Sequence, residues 1–144
     1  VKPAPRPMFR RVDHIGVVVD DLPEARRWLA DVFGLPLRRS VDLPEGRIRG
    51  EFYACGGTDI ELIEIGDPEL RRQRLGNGRR ARIEHIAVEV DDLGAALATL
   101  ASRGVRTTSA EPRRIGNTLN AWTREETTGG ISYQLIERRP TNSP

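Results

Sequence analysis

Residues 13–22 read Asp-His-Ile-Gly-Val-Val-Val-Asp-Asp-Leu, an apolar run with alternation at its start that predicts a β-strand leading into a helix. The apolar positions that follow, Ala25, Trp28, Leu29, Val32 and Phe33, recur at helical spacing. Pro23 suits a first turn and Gly34 a stop. Beyond the glycine, turn residues separate three β-prone segments over 36–42, 46–55 and 58–65.

The same pattern then returns. Residues 84–93, Glu-His-Ile-Ala-Val-Glu-Val-Asp-Asp-Leu, match 13–22 at seven of ten positions with an offset of 71. A weaker helical face follows at Ala96, Leu97, Leu100 and Ala101, ended by Gly104, and three strands are expected over 105–110, 116–124 and 130–138. Leu-Ile-Glu closes both copies at an offset of 73, pairing Glu61 with Gln134. The chain is therefore read as α+β, one domain made of two tandem βαβββ modules, 9–66 and 82–138, with a linker over 67–81. Proline and polar residues at Val1–Pro7 and Pro140–Pro144 predict disordered tails within 1–8 and 139–144.

Composition narrows the function classes. With 144 residues and 38% apolar content, the chain can fill one modest core. It holds no run of 18 apolar residues and no charged-then-apolar leader, so a soluble, cytoplasmic protein is expected. The single cysteine, Cys55, fits a reducing compartment and reads as a small buried strand residue. The 23 basic residues face 21 acidic ones with few aromatics, which is no nucleic-acid footprint. Six arginines over 71–82 suggest either a phosphate grip or, more simply, a solvated loop.

Both histidines, His14 and His85, occupy the same place in the two copies. Duplicated modules related by a pseudo-twofold axis bring equivalent positions together, which points to ligation of one ion rather than packing. Glu61 and Gln134 complete the pair of pairs. Imidazole and carboxylate suit cobalt, nickel, zinc, manganese or iron(II), and two neutral histidines with one carboxylate leave a divalent cation a net positive charge for stabilising an oxyanion.

At these residues the chain resembles the vicinal oxygen chelate superfamily, and within it the methylmalonyl-CoA epimerases. The likeness covers about residues 10–138 through DHIGVVVDDL, the Leu-Pro-Glu-Gly turn at 43–46, GTDIELIE, EHIAVEVDDL and GGISYQLIE. The resemblance implies paired modules wrapping a metal in a half-open barrel, with His14, Glu61, His85 and Gln134 as its ligands. It also implies Glu45 as a catalytic base, an acyl-CoA or other small-molecule substrate, and a homodimer. One departure stands out: the family has a last-strand glutamate where this chain has Gln134, which cannot take a proton at neutral pH. Losing a general base costs roughly 10²- to 10⁴-fold in rate.

Three other readings remain. The resemblance also admits a glyoxalase-type lyase or isomerase of the same superfamily. An iron(II) dioxygenase would use the same two histidines and carboxylate, although the superfamily's ring-cleaving dioxygenases draw theirs from the last strand. A non-enzymatic, resistance-type binding protein would not need His14, Glu61 and His85 together.

Overall fold

A computed structural model describes residues 6–140; residues 1–5 and 141–144, most of the two expected tails, lie outside the described residues. The fold is α+β. The first module comprises β1 (Arg11–Val19), α1 (Leu22–Arg26) continued by a π-helical turn (Arg27–Val32), β2 (Leu37–Leu43), β3 (Ile48–Cys55) and β4 (Thr58–Ile65). After α2 (Pro68–Leu75) the second comprises β5 (Ala81–Glu89), α3 (Leu93–Ser102), β6 (Arg113–Ile115), β7 (Thr118–Trp122) and β8 (Ser132–Arg138). The described residues form two compact units, 13–85 and 6–12 joined with 86–140, so the division falls inside β1 and β5.

Within Asp13–His85 the strand order is β2-β3-β4-β1, with β1 parallel to β4 and the other pairs antiparallel. Alternation sends successive side chains to opposite faces. On one face Val18, Ile63, Ile65 and Leu75 form a core with Leu70, so α2 covers that side. On the other, Val19, Leu22, Tyr53 and Leu62 pack with Ala25 and Leu29 of the first helix. In the other unit β8, β7 and β6 are neighbours, and Val88, Val90, Leu93, Ala96, Ala121 and Leu135 form a core that Met8 also contacts.

The repeated residues explain how each helix is docked. Asp21 and Asp92 cap α1 and α3 by accepting from the backbone N–H of Glu24 (3.0 Å) and Ala95 (2.9 Å). Leu22 and Leu93, next in sequence, are buried, and each such side chain contributes about 1.5–3 kcal/mol. Their N–H groups donate to Glu64 (2.8 Å) and Glu137 (2.9 Å), the glutamates that close Leu-Ile-Glu. Glu64 is therefore half-buried and holds a helix terminus.

Four expectations change. The segment 105–110 makes only an isolated bridge, Thr107 to Thr123, because Thr107 and Ser109 hydroxyls turn back to the carbonyls of Ser109 and Glu111; the strand forms at Arg113–Ile115 instead. The linker contains α2, started by Asp67 accepting from Leu70 N–H and by Pro68 in the first turn, so Arg71, Arg72 and Arg74 are helical rather than in a loop. The π-helical turn rephases the first helix and leaves Trp28, Val32 and Phe33 exposed, where helical spacing had put them on the buried face. Cys55 is exposed because β3 ends there, before the Gly56-Gly57 turn.

Candidate metal centre

His14 sits in β1 with both neighbours along the chain pointing to the opposite face, and Gly16 follows two residues later on its own face. The parallel register sets Gly16 beside Glu61 of β4, and the antiparallel register sets Glu61 beside Phe52 of β3. His85 approaches across the missing side chain of Gly16. A Cβ at that position would lie 2.1 Å from Cε1 and 2.4 Å from Nε2 of the His85 ring. Glycine is thus required there by close approach rather than by backbone dihedral.

The three side chains converge within Asp13–His85. One ligand atom from each of His14, Glu61 and His85 lies within 4.8 Å of the others. The two Nε2 atoms are 3.4 Å apart, and Glu61 Oε1 is 3.4 Å from that of His14 and 3.5 Å from that of His85. Both histidines are almost fully buried, and the Phe52 ring meets His14 edge-on at 5.2 Å.

Each Nδ1 faces the carboxylate that precedes its own histidine: His14 meets Asp13 at 2.7 Å, and His85 meets Glu84 at 3.0 Å. A carboxylate on Nδ1 holds the proton there and turns the Nε2 lone pair toward the centre, which is how metal-ligating histidines are oriented. Two imidazole nitrogens and a carboxylate oxygen facing one another at these distances call for a positive charge among them, supplied by a proton or by a metal ion. The donor set therefore fits a divalent cation.

The electrostatics agree. Burial disfavours the charged His85 ring, but hydrogen bonds with Glu61 and Glu84 outweigh it and raise its pKa to about 9. Burial also pushes Glu84 upward, yet the Arg74 fork and the His85 bond prevail and hold it at about 2.

Glu45 and Gln134 lie in different units. Glu45 is exposed and begins a short 3₁₀ turn, Glu45–Arg47, between β2 and β3. That turn is firmly held: Gly46 has φ 73°, Asp67 N–H donates to its carbonyl, and Gly66 N–H donates to that of Arg47. Gln134, on β8, is buried and its Nε2 donates to Asn120 Oδ1 at 3.0 Å. Asn120 Nδ2 is engaged by Thr118 Oγ1 at 2.8 Å, which fixes both amides and makes oxygen the atom Gln134 would offer an ion.

Sequence reasoning missed Gly16, Asp13, Glu84 and Arg74 as parts of this site. The one available signal was that an acidic residue precedes the histidine in both repeats. Of the arginine run, Arg71, Arg72, Arg79 and Arg80 line a surface cavity of about 800 Å³ together with Asp20, Asp67 and Glu69, so acidic side chains stand among the basic ones there. Arg74 instead turns inward to Glu84.

Residues 11–132 match the Glyoxalase/Bleomycin resistance protein/Dioxygenase superfamily, and the chain belongs to it. Mitochondrial methylmalonyl-CoA epimerase of Mus musculus is 30% identical over 104 residues, covering 72% of this chain and 58% of that protein. This chain thus spans less than two thirds of the length of that relative. A lactoylglutathione lyase of Neisseria meningitidis is 31% identical over 132 residues, covering 90% and 91% of the two chains. The crystal structure of methylmalonyl-CoA epimerase from Mycobacterium tuberculosis superimposes with a TM-score of 0.77 at 25% identity, covering 92% of this chain and 91% of that one. Among the described residues no helix is long and apolar enough to cross a membrane.

Proposed function

We propose that the protein is a metal-dependent enzyme that moves a proton at a carbon next to a carbonyl, with an activity like that of methylmalonyl-CoA epimerase. The observation that carries this is the convergence of His14, Glu61 and His85, each histidine held at Nδ1 by a carboxylate. In this reading those three residues hold a divalent ion such as cobalt, nickel, zinc, manganese or iron(II), with the oxygen of Gln134 as a fourth ligand. A cation there supplies charge to a carbonyl oxygen of the substrate as negative charge develops on it.

The chain's own residues then divide the work. Glu45, on its pinned turn, takes the proton from carbon. Phe52 shields one side of His14, and Arg39, in register with Phe52 and 3.9 Å over its ring, offers a cation to an anionic substrate such as an acyl-CoA carboxylate. Gln134 can orient the substrate but cannot exchange a proton, so return of the proton to the second face requires water or another group. Similarity to a lactoylglutathione lyase along nearly its whole length favours a glyoxalase-type lyase or isomerase as the second reading.

The deciding experiment follows solvent deuterium into the carbon between the two carbonyls of methylmalonyl-CoA in D₂O, with cobalt-loaded and metal-free protein compared by NMR. Metal-dependent exchange that is lost in Glu45→Gln supports the proposal. No exchange above the metal-free control refutes the substrate and leaves the lyase reading. Gln134→Glu, which restores an ionisable group, is expected to raise epimerisation about 10-fold or more; a fall would mean that the amide serves different chemistry. We also propose a homodimer that uses the exposed Trp28 and Phe33, whose rings lie 6.1 Å apart. Light scattering that gives a monomer mass would refute it.

A further inference from the structure

Within the arginine run, Arg74 has a partner that reaches the candidate centre. Its Nε donates to Glu84 Oε2 and its Nη2 to Glu84 Oε1, both at 2.7 Å, in a two-point fork. The same Oε1 meets His85 Nδ1 at 3.0 Å. The Glu84 side chain is 12% exposed, so little water competes for it.

A carboxylate held at one point can rotate about its last bonds. Held at two points by a planar guanidinium it cannot. Arg74 is itself fixed, because Leu70 and Leu75 on either side of it in α2 pack into the core under the helix, and Arg82 Nη1 donates to its carbonyl at 3.0 Å. Helix, arginine, glutamate and imidazole thus form one connected chain of contacts.

We propose that Arg74 is a positioning residue of the metal centre: it locks the Glu84 carboxylate so that Glu84 aims the His85 ring. This rests on reading His14, Glu61 and His85 as metal ligands. Without the fork, Glu84 is free to turn away, His85 Nδ1 loses a fixed acceptor, and Nε2 no longer stays aimed at the centre. Losing such an outer partner typically weakens metal binding about 10- to 100-fold.

The test is cobalt titration of the full chain as wild type, Arg74→Met, Arg74→Lys, Glu84→Gln, the double variant Arg74→Met/Glu84→Gln, and Arg72→Ala as control. Arg72 lies in the same helix, but its partner is the exposed Glu69. Arg74→Met is expected to weaken cobalt binding about 10- to 100-fold, with Arg74→Lys in between because an ammonium holds only one point. The double variant should bind no more weakly than Glu84→Gln alone, and Arg72→Ala should match wild type. In the cobalt-loaded protein each histidine contributes one exchangeable, paramagnetically shifted Nδ1–H proton resonance. Arg74→Met should shift or broaden that of His85 and leave that of His14 in place.

Wild-type affinity and both resonances unchanged in Arg74→Met would overturn the proposal, as would an equal loss in Arg72→Ala. If Arg74→Met does not fold, Arg74→Lys carries the same test, and unchanged affinity there overturns it. Wild-type protein that binds no cobalt would instead refute the metal reading itself, and the proposal with it.

Discussion

Gly16 and His85 show how tightly single residues are coupled in this protein. The His85 ring fills the space that any side chain at position 16 would need. Gly16→Ala should therefore destabilise the fold by about 1–3 kcal/mol, the usual range for overpacking, and displace the ring. Calorimetry would read the first effect and cobalt titration the second; wild-type cobalt affinity in this variant would show that the ring position is not needed. His85→Ala is expected to behave differently. It removes a polar side chain from outside the apolar clusters, so a folded domain should remain while metal uptake is lost. Retained uptake, measured by elemental analysis after dialysis against cobalt, would remove His85 from the ligand set.

At the scale of elements, α2 and β5 are joined by a charge pair that sets a response to acid. The Glu84 carboxyl is held at about 2 against an ordinary 4.5, so its folded-state pKa is depressed. Such a group contributes stability that is fully present above about pH 4.5 and is lost as pH falls toward 2. The urea midpoint of the metal-free protein should drop across that window, and Glu84→Gln should flatten this part of the curve. An unchanged slope in the variant would mean that other carboxylates dominate acid unfolding. The paired caps follow a simpler rule. Asp21 with Glu64, and Asp92 with Glu137, satisfy the first backbone N–H groups of α1 and α3 in the same way, which is why the repeat preserves Asp-Asp-Leu and Leu-Ile-Glu together.

For the molecule as a whole, a ligand that binds only the folded chain adds RT ln(1 + [L]/Kd) to stability, about 2.7 kcal/mol at a hundredfold excess over Kd. Cobalt or nickel should raise Tm by several degrees and a chelator should reverse the gain. Because His85 is raised to about 9 in the metal-free protein, its ring is positively charged at pH 7 with a second proton on Nε2, and metal uptake should release about one proton per site. Calorimetric titration in buffers of different ionisation enthalpy measures that release directly. No dependence on the buffer would mean that the ion does not displace a proton from His85.

Much of this was legible in the sequence because duplication leaves a local record. Identity at an offset of 71 marked both histidines, both helix starts and the strands around them, and alternation along each strand fixed which side chains share a face. The offset of the closing strands pointed to Glu61 and Gln134 in the same way. What the sequence could not hold was the approach of one strand to another. The need for glycine at position 16 arises from a ring 69 residues away in the chain, and Arg74 looked like part of a solvated run until α2 turned it toward Glu84. The π-helical turn likewise rephased an apolar face that helical spacing alone had assigned to the core. Periodicity and repeats are properties of neighbours along the chain, so the sequence determined them. Close approach, hydrogen-bond partners and the sign of a pKa shift depend on distances between residues far apart in sequence, and only the tertiary structure decided those.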